Sequence, residues 1–83
     1  MNLAKHVKIR EEKFGTVIFD TLREKVFTVN KQGADTLRLV LAGKSIKQTV
    51  EDLKQNYHSS GEAISKDVTG FIDCLVENKL LVK

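Results

Sequence analysis

The chain has no proline, no tryptophan and a single cysteine among 83 residues. Without proline, nothing marks a rigid linker. Cys74 cannot close an internal disulfide by itself, which points to a reducing, cytoplasmic setting. No apolar run approaches the ~20 residues that cross a bilayer, and Met1 to His6 lacks the apolar stretch of a secretory signal. The five glycines are scattered, so there is neither a phosphate-cradling loop nor a dinucleotide fingerprint. His6, His58 and Cys74 lie far apart with no ligand spacing, which argues against a structural zinc. A cysteine and a histidine can still meet in space as a nucleophile pair. Cys74, however, falls beside Phe71 and Leu75 in a helix-like stretch, where a small apolar filler is the ordinary reading. No metal and no cofactor are expected.

What remains is a balanced globular composition, 41% apolar and 30% charged. Residues 1–83 read as a single small domain with no room for a second core. A self-contained active site usually needs a pocket of ~300–1,000 Å³. A chain this short buries too little to carve one easily, so the expectation is a binding module and not an enzyme. The net charge is +3, and all of it lies in the first third. Residues 1–31 carry seven basic side chains against four acidic ones, while residues 32–83 are balanced. This is either a solvated surface or an attraction for an acidic partner, peptide or nucleic acid.

Hydrophobic periodicity divides the chain into strands and then helices. His6 to Arg10 alternates, with Val7 and Ile9 on one face. Glu11-Glu12-Lys13 reads as a turn, and Phe14 to Asp20 as a second strand. Its unbroken Val17-Ile18-Phe19 suggests a central strand covered on both faces. Lys25 to Val29 is a third strand, and the short connections imply an antiparallel meander. Asn30 is a plausible N-cap, Ala34, Leu37 and Leu41 repeat at helical spacing, and Gly43 is a stop. Ser45-Ile46-Lys47-Gln48 is a capping box ahead of the stripe Ile46, Val50, Leu53 and Tyr57. After the loop His58 to Gly61, a third helix is predicted to start between Glu62 and Ser65. Its stripe is Ile64, Val68, Phe71, Ile72 and Leu75, with Asp67 as a first-turn dipole partner and Asp73 solvated. Leu80-Leu81-Val82 should dock on the core. The order βββααα gives a compact α+β domain in which the sheet supplies a face for the helices. Ile18, Leu37, Val50, Leu53, Val68, Phe71 and Leu75 are predicted to be buried.

The third strand carries the functional signal. In a meander its outer edge has no partner, and an open edge is a template for another strand. Lys25 and Lys31 flank it, but Val26-Phe27-Thr28-Val29 is unguarded. Either a helix or loop covers this edge, or an extended peptide pairs with it and drops alternate side chains into an apolar pocket.

These residues resemble the PqqD family of small peptide chaperones, also called RiPP recognition elements. The resemblance rests on Arg10 to Asp20, on Phe27-Thr28-Val29-Asn30, and on Gly43-Lys44-Ser45-Ile46 opening a helix. It continues through Asp67-Val68 and Phe71-Ile72 to Leu75 and Leu80. It covers nearly the whole chain, and its specificity lies in order and spacing. Asn78-Lys79 replaces the usual glycine, and Val29 stands where leucine is common. The resemblance implies a winged-helix-like fold. It also implies binding of the leader segment of a ribosomally made precursor peptide, beside the third strand and against the third helix. The complex would then be presented to a modifying enzyme, such as a radical SAM enzyme or, in lasso peptide pathways, a leader peptidase. Carried over, the strand contacts are Lys25, Val26, Phe27, Thr28 and Val29. On the third helix the expected flank is Thr69, Ile72, Asp73 and Val76, with either Ile72 or Val76 lining the groove and the other in the core.

Two other readings compete. A winged-helix domain can bind DNA, but fold does not fix function. A recognition helix should carry several Arg, Lys, Asn or Gln side chains on one face. The third helix is net acidic before Lys79 and the second is mixed. The last reading is a subunit or scaffold domain of another complex.

Overall fold

The computed structural model describes residues 1–82. Its strands are β1 (Asn2–Leu3), β2 (Val7–Glu12), β3 (Gly15–Asp20), β4 (Lys25–Val29) and β5 (Leu81–Val82). Its helices are α1 (Lys31–Leu41), α2 (Ile46–Asn56) and α3 (Gly61–Glu77). The architecture is α+β: an antiparallel three-stranded sheet in the order β2-β3-β4 carries three helices, and β1 and β5 form a separate small sheet. No described helix is long and apolar enough to cross a membrane.

The meander follows from the period-two pattern. Ile9 faces Ile18 and Ile18 faces Phe27 across the ladder, so one face of all three strands is apolar and turns to the helices. On β3 both Val17 and Ile18 are buried, as expected of a central strand. The β2–β3 turn is shorter than the sequence predicts. Glu12 pairs with Gly15, leaving only Lys13 and Phe14 between the strands. Gly15 has φ of +141°, a conformation open to glycine, and this lets the chain reverse so tightly.

Local caps fix the helix starts. The Asn30 side chain accepts from Gly33 N–H at 2.8 Å. Both halves of the Ser45–Gln48 capping box are made. Ser60 caps α3 by accepting from Ala63 N–H at 3.1 Å, so that helix starts at Gly61, earlier than predicted. Asp67 is therefore well past the first turn, where Glu62 is the acidic residue, and is no dipole partner of its own helix. Gly43, with φ of +98°, follows the Ala42 C-cap and stops α1, as the sequence predicts. Tyr57, after α2, donates its hydroxyl to Asp35 Oδ2 at 2.7 Å and ties α2 to α1. That hydrogen bond holds the Asp35 carboxyl below its ordinary range and raises the tyrosine.

The core gathers Val7, Ile18 and Val29 from the sheet, Leu37 and Val40 from α1, Val50 and Leu53 from α2, and Ile64, Val68, Ile72 and Leu75 from α3. Of the side chains predicted to be buried, Phe71 is the exception and is only half-buried. Leu80 and Leu81 dock on this core as expected, and Leu81 also pairs with Leu3 in the small sheet.

Candidate functional site

The three-stranded sheet has two edges, β2 and β4. They are guarded differently. Along β2 the exposed residues are Lys8, Arg10 and Glu11, and Arg10 Nε holds Glu12 Oε1 at 2.9 Å. Charge of this kind discourages edge pairing. Along β4 only Lys25 is charged. Val26 is 59% exposed, Thr28 is exposed, Phe27 is half-buried and Val29 is buried. Phe27 and Val29 lie opposite buried Ile18 and Thr16, so they face the helices, while Val26 and Thr28 lie on the outer face. Every second backbone N–H and C=O of such an edge points outward without a ladder partner.

Two contacts relate α3 to the ends of β4. A β-carbon placed on Gly33 would lie 2.6 Å from Val29 Cγ1 and 3.4 Å from Phe71 Cε1, so Gly33 lets Phe71 close on the far end of β4. At the near end, Arg23 Nη1 donates to the Asn78 carbonyl at 3.2 Å and reaches Asp20 Oδ2 at 3.4 Å. On the α3 helix Asp67, Cys74 and Asn78 share a row with Phe71, the side chain that reaches Gly33 beside Val29. The middle of this row has low relief: Cys74 is exposed, and a β-carbon on neighbouring Gly70 would meet nothing within 4 Å. Asp67 and Phe71, with Asn30, Gln32, Gly33 and Thr36, line a cleft of about 260 Å³ at the end of β4.

The expected strand half of the site, Lys25 to Val29, is thus an edge strand. The side chains expected on the helix point away from Phe71 or into the core. At ~100° per residue, Thr69 and Val76 stand roughly 140–160° round the helix from Phe71. Thr69 and Asp73 are exposed, Val76 is half-buried against the core, and Ile72 is 1% exposed. Ile72 is the core member of the pair left open, and Val76 is half-buried against the same core. The stripe Ile64–Val68–Ile72–Leu75 has two flanks; α3 packs chiefly against α2, and Phe71 on one flank reaches Gly33 of α1 beside Val29. Cys74 is likewise no core filler. Lys31 opens α1, bonded to Asp35 at 3.4 Å and set over the Tyr57 ring, and does not guard the edge. The side chains missed on α3 had one signal in the sequence: small Gly70 and Cys74 on one side of an otherwise bulky helix.

Asp20 organises the turn into β4. Its Oδ1 accepts from the N–H groups of Leu22 and Arg23 at 3.1 and 3.0 Å, and His6 Nε2 lies 3.6 Å away. The Arg23 N–H is the main reason its carboxyl is held below the ordinary value of 3.8. Burial works the other way, and His6, the Leu22 N–H and the Arg23 guanidinium add to the lowering. Among the described residues no group of three or more His, Cys, Asp or Glu could hold a metal ion.

The site is an open strand edge beside a shallow helix flank in a small α+β domain. The pattern of the family described as coenzyme PQQ synthesis protein D (PqqD) matches residues 15–81. The chain belongs to the PqqD family. Two solved structures share the fold at 18% identity. "Lasso peptide synthetase B1 complexed with the leader peptide" has a TM-score of 0.93, over 99% of this chain and 96% of that one. "TbiB1 in Complex with the TbiA(beta) Leader Peptide" has a TM-score of 0.86, over 98% and 94%. No curated protein sequence matches the chain.

Proposed function

We propose that this chain binds the leader segment of a ribosomally synthesised precursor peptide as an added strand along β4, and presents it to a modifying enzyme. The observation that carries this reading is the uncharged edge Val26–Val29 set beside the shallow flank of α3. Family membership supports it, as do the two fold neighbours, each a complex with a leader peptide. Backbone pairing would supply most of the hydrogen bonds, and apolar leader side chains would enter the groove over Phe27 and Phe71. In this reading residues 1–83 act as one winged-helix-like peptide-binding domain in a reducing cytoplasm. The domain does no chemistry itself and uses no cofactor. The enzyme it serves is a radical SAM enzyme or a leader peptidase. A DNA partner fits less well, because exposed Glu62, Asp67, Asp73 and Glu77 on α3 outnumber Lys66 and would repel phosphates.

Cys74 makes the test direct, since it is the sole cysteine and lies on the groove flank. A precursor leader peptide that the chain binds should slow alkylation of Cys74 and shift the amide resonances of Lys25 to Val29, Phe71 and Cys74. Unchanged alkylation at saturating leader, with shifts confined to α2 or β2, would remove β4 from the site.

A further inference from the structure

The cleft at the end of β4 has a chemistry that the rest of the groove lacks. Of its six lining residues only Asp67 carries a formal charge. In its wall Asn30 Oδ1 accepts from Gly33 N–H, and the Thr36 hydroxyl donates to the Gln32 carbonyl at 2.8 Å. Nearby Lys31 and Arg38 are both paired with Asp35, at 3.4 and 2.7 Å. Asp67 has no ion-pair or hydrogen-bond partner among the described residues. One helical turn on, the half-buried Phe71 ring forms the adjoining wall. A carboxylate beside an aromatic ring is the arrangement that holds a cationic side chain, by charge and by contact with the ring. The cleft volume of about 260 Å³ admits a single long side chain and little more.

We infer that this cleft is a specificity pocket for one arginine or lysine of the bound peptide, with Asp67 as its counter-charge and Phe71 as its platform. The inference rests on the leader-binding reading and deepens it. Val29 ends β4 where the cleft begins, so the basic residue belongs to the part of the added strand that passes Val29. Lys25 stands exposed at the opposite end of the same strand. The groove is therefore bipolar: it takes a basic residue at one end, tolerates an acidic one at the other, and takes apolar anchors between. This fixes the direction and register of a peptide that backbone pairing alone leaves free to slide.

The test is selection of a display library of random peptides against the wild-type chain, Asp67→Asn and Asp67→Lys, each first shown to be folded by circular dichroism. Wild-type binders should carry Arg or Lys at one fixed offset from their apolar anchors and should shift the β4 amides. Replacing that residue by Gln should weaken binding by roughly fivefold, the size of a half-exposed ion pair with a ring contact. Asp67→Asn should lose the enrichment, and Asp67→Lys should exchange it for Asp or Glu. A carboxylate that only complements the α1 N-terminus would change the melting temperature and leave the selected peptides the same, and that result overturns the inference. Binders that shift β4 without any charge preference also overturn it but leave the leader-binding reading standing. Failure of all selected peptides to engage β4 removes both.

Discussion

Asp20 is the residue through which acid should first act on this fold. It is nearly fully buried, and its carboxylate bonds to two backbone N–H groups at the turn that launches β4. Its folded pKa lies below the ordinary 3.8, so the ionised form is favoured by folding. That contribution is fully present above the unfolded value and is lost as pH falls through the lower folded one. The melting temperature of the wild type should therefore exceed that of Asp20→Asn at neutral pH. The gap should shrink as pH is taken below 3.8, because protonation then gives both proteins a neutral side chain. A gap that widens on acidification would mean that Asp20 is not the group responsible. The same residue positions Arg23, which reaches across to the Asn78 carbonyl, so loosening the turn also loosens the near end of the groove.

At the scale of elements, α3 carries both the flank proposed for binding and a defect. Its two flanks can be separated by bulk. Cys74 and Thr69 are both exposed, one on the row of Phe71 and the other on the opposite flank. Cys74→Trp should fill the groove and weaken leader binding by more than about tenfold, equivalent to ~1.4 kcal/mol. Thr69→Trp should leave it unchanged, and calorimetry on the two folded variants decides between the flanks. The defect is at the helix end. Leu80 N–H bonds to the Leu75 carbonyl at 2.8 Å and Lys79 N–H to Val76 at 3.0 Å, which places Lys79 at the left-handed position with φ of +61°. Glycine adopts that conformation freely and lysine does not. Lys79→Gly should stabilise the protein by about 0.5–1 kcal/mol in urea unfolding, the relief of the side-chain clash exceeding the entropy that glycine adds to the unfolded chain.

For the whole molecule, the two chain ends close the structure. β1 and β5 pair with each other, Ala4 N–H bonds to the Leu80 carbonyl at 3.0 Å, and Leu80 and Leu81 fill the core beside Leu75. A domain of this size has roughly 5–15 kcal/mol of stability in all. Leu80→Ala should cost about 2–5 kcal/mol through lost burial and the cavity it leaves. Thermal unfolding followed by circular dichroism should show a large drop in midpoint. A midpoint within a degree or two of wild type would mean that the C-terminal segment is not part of the cooperative core.

Local chemistry in the sequence determined most of the elements. Alternation set the first long strand, an unbroken apolar run the second and β-branched and aromatic residues the third, while Asn30, Ser45 with Gln48, and Gly43 set helix ends, because each acts within a few residues of its own position. The exposed edge was legible too, since short connections force a meander and a meander leaves its last strand unpartnered. Where the helix half of the groove lies was not legible. A stripe of Ile64, Val68, Ile72 and Leu75 says which side of α3 is buried but treats its two flanks alike. Only the packing chose between them, by setting α2 on one side and closing Phe71 over Gly33 and Val29 on the other. The pairing of Asn2–Leu3 with Leu81–Val82 was decided in the same way. Two-residue strands carry no period, and their partners lie at opposite ends of the chain, so that contact exists only once the core has brought the ends together.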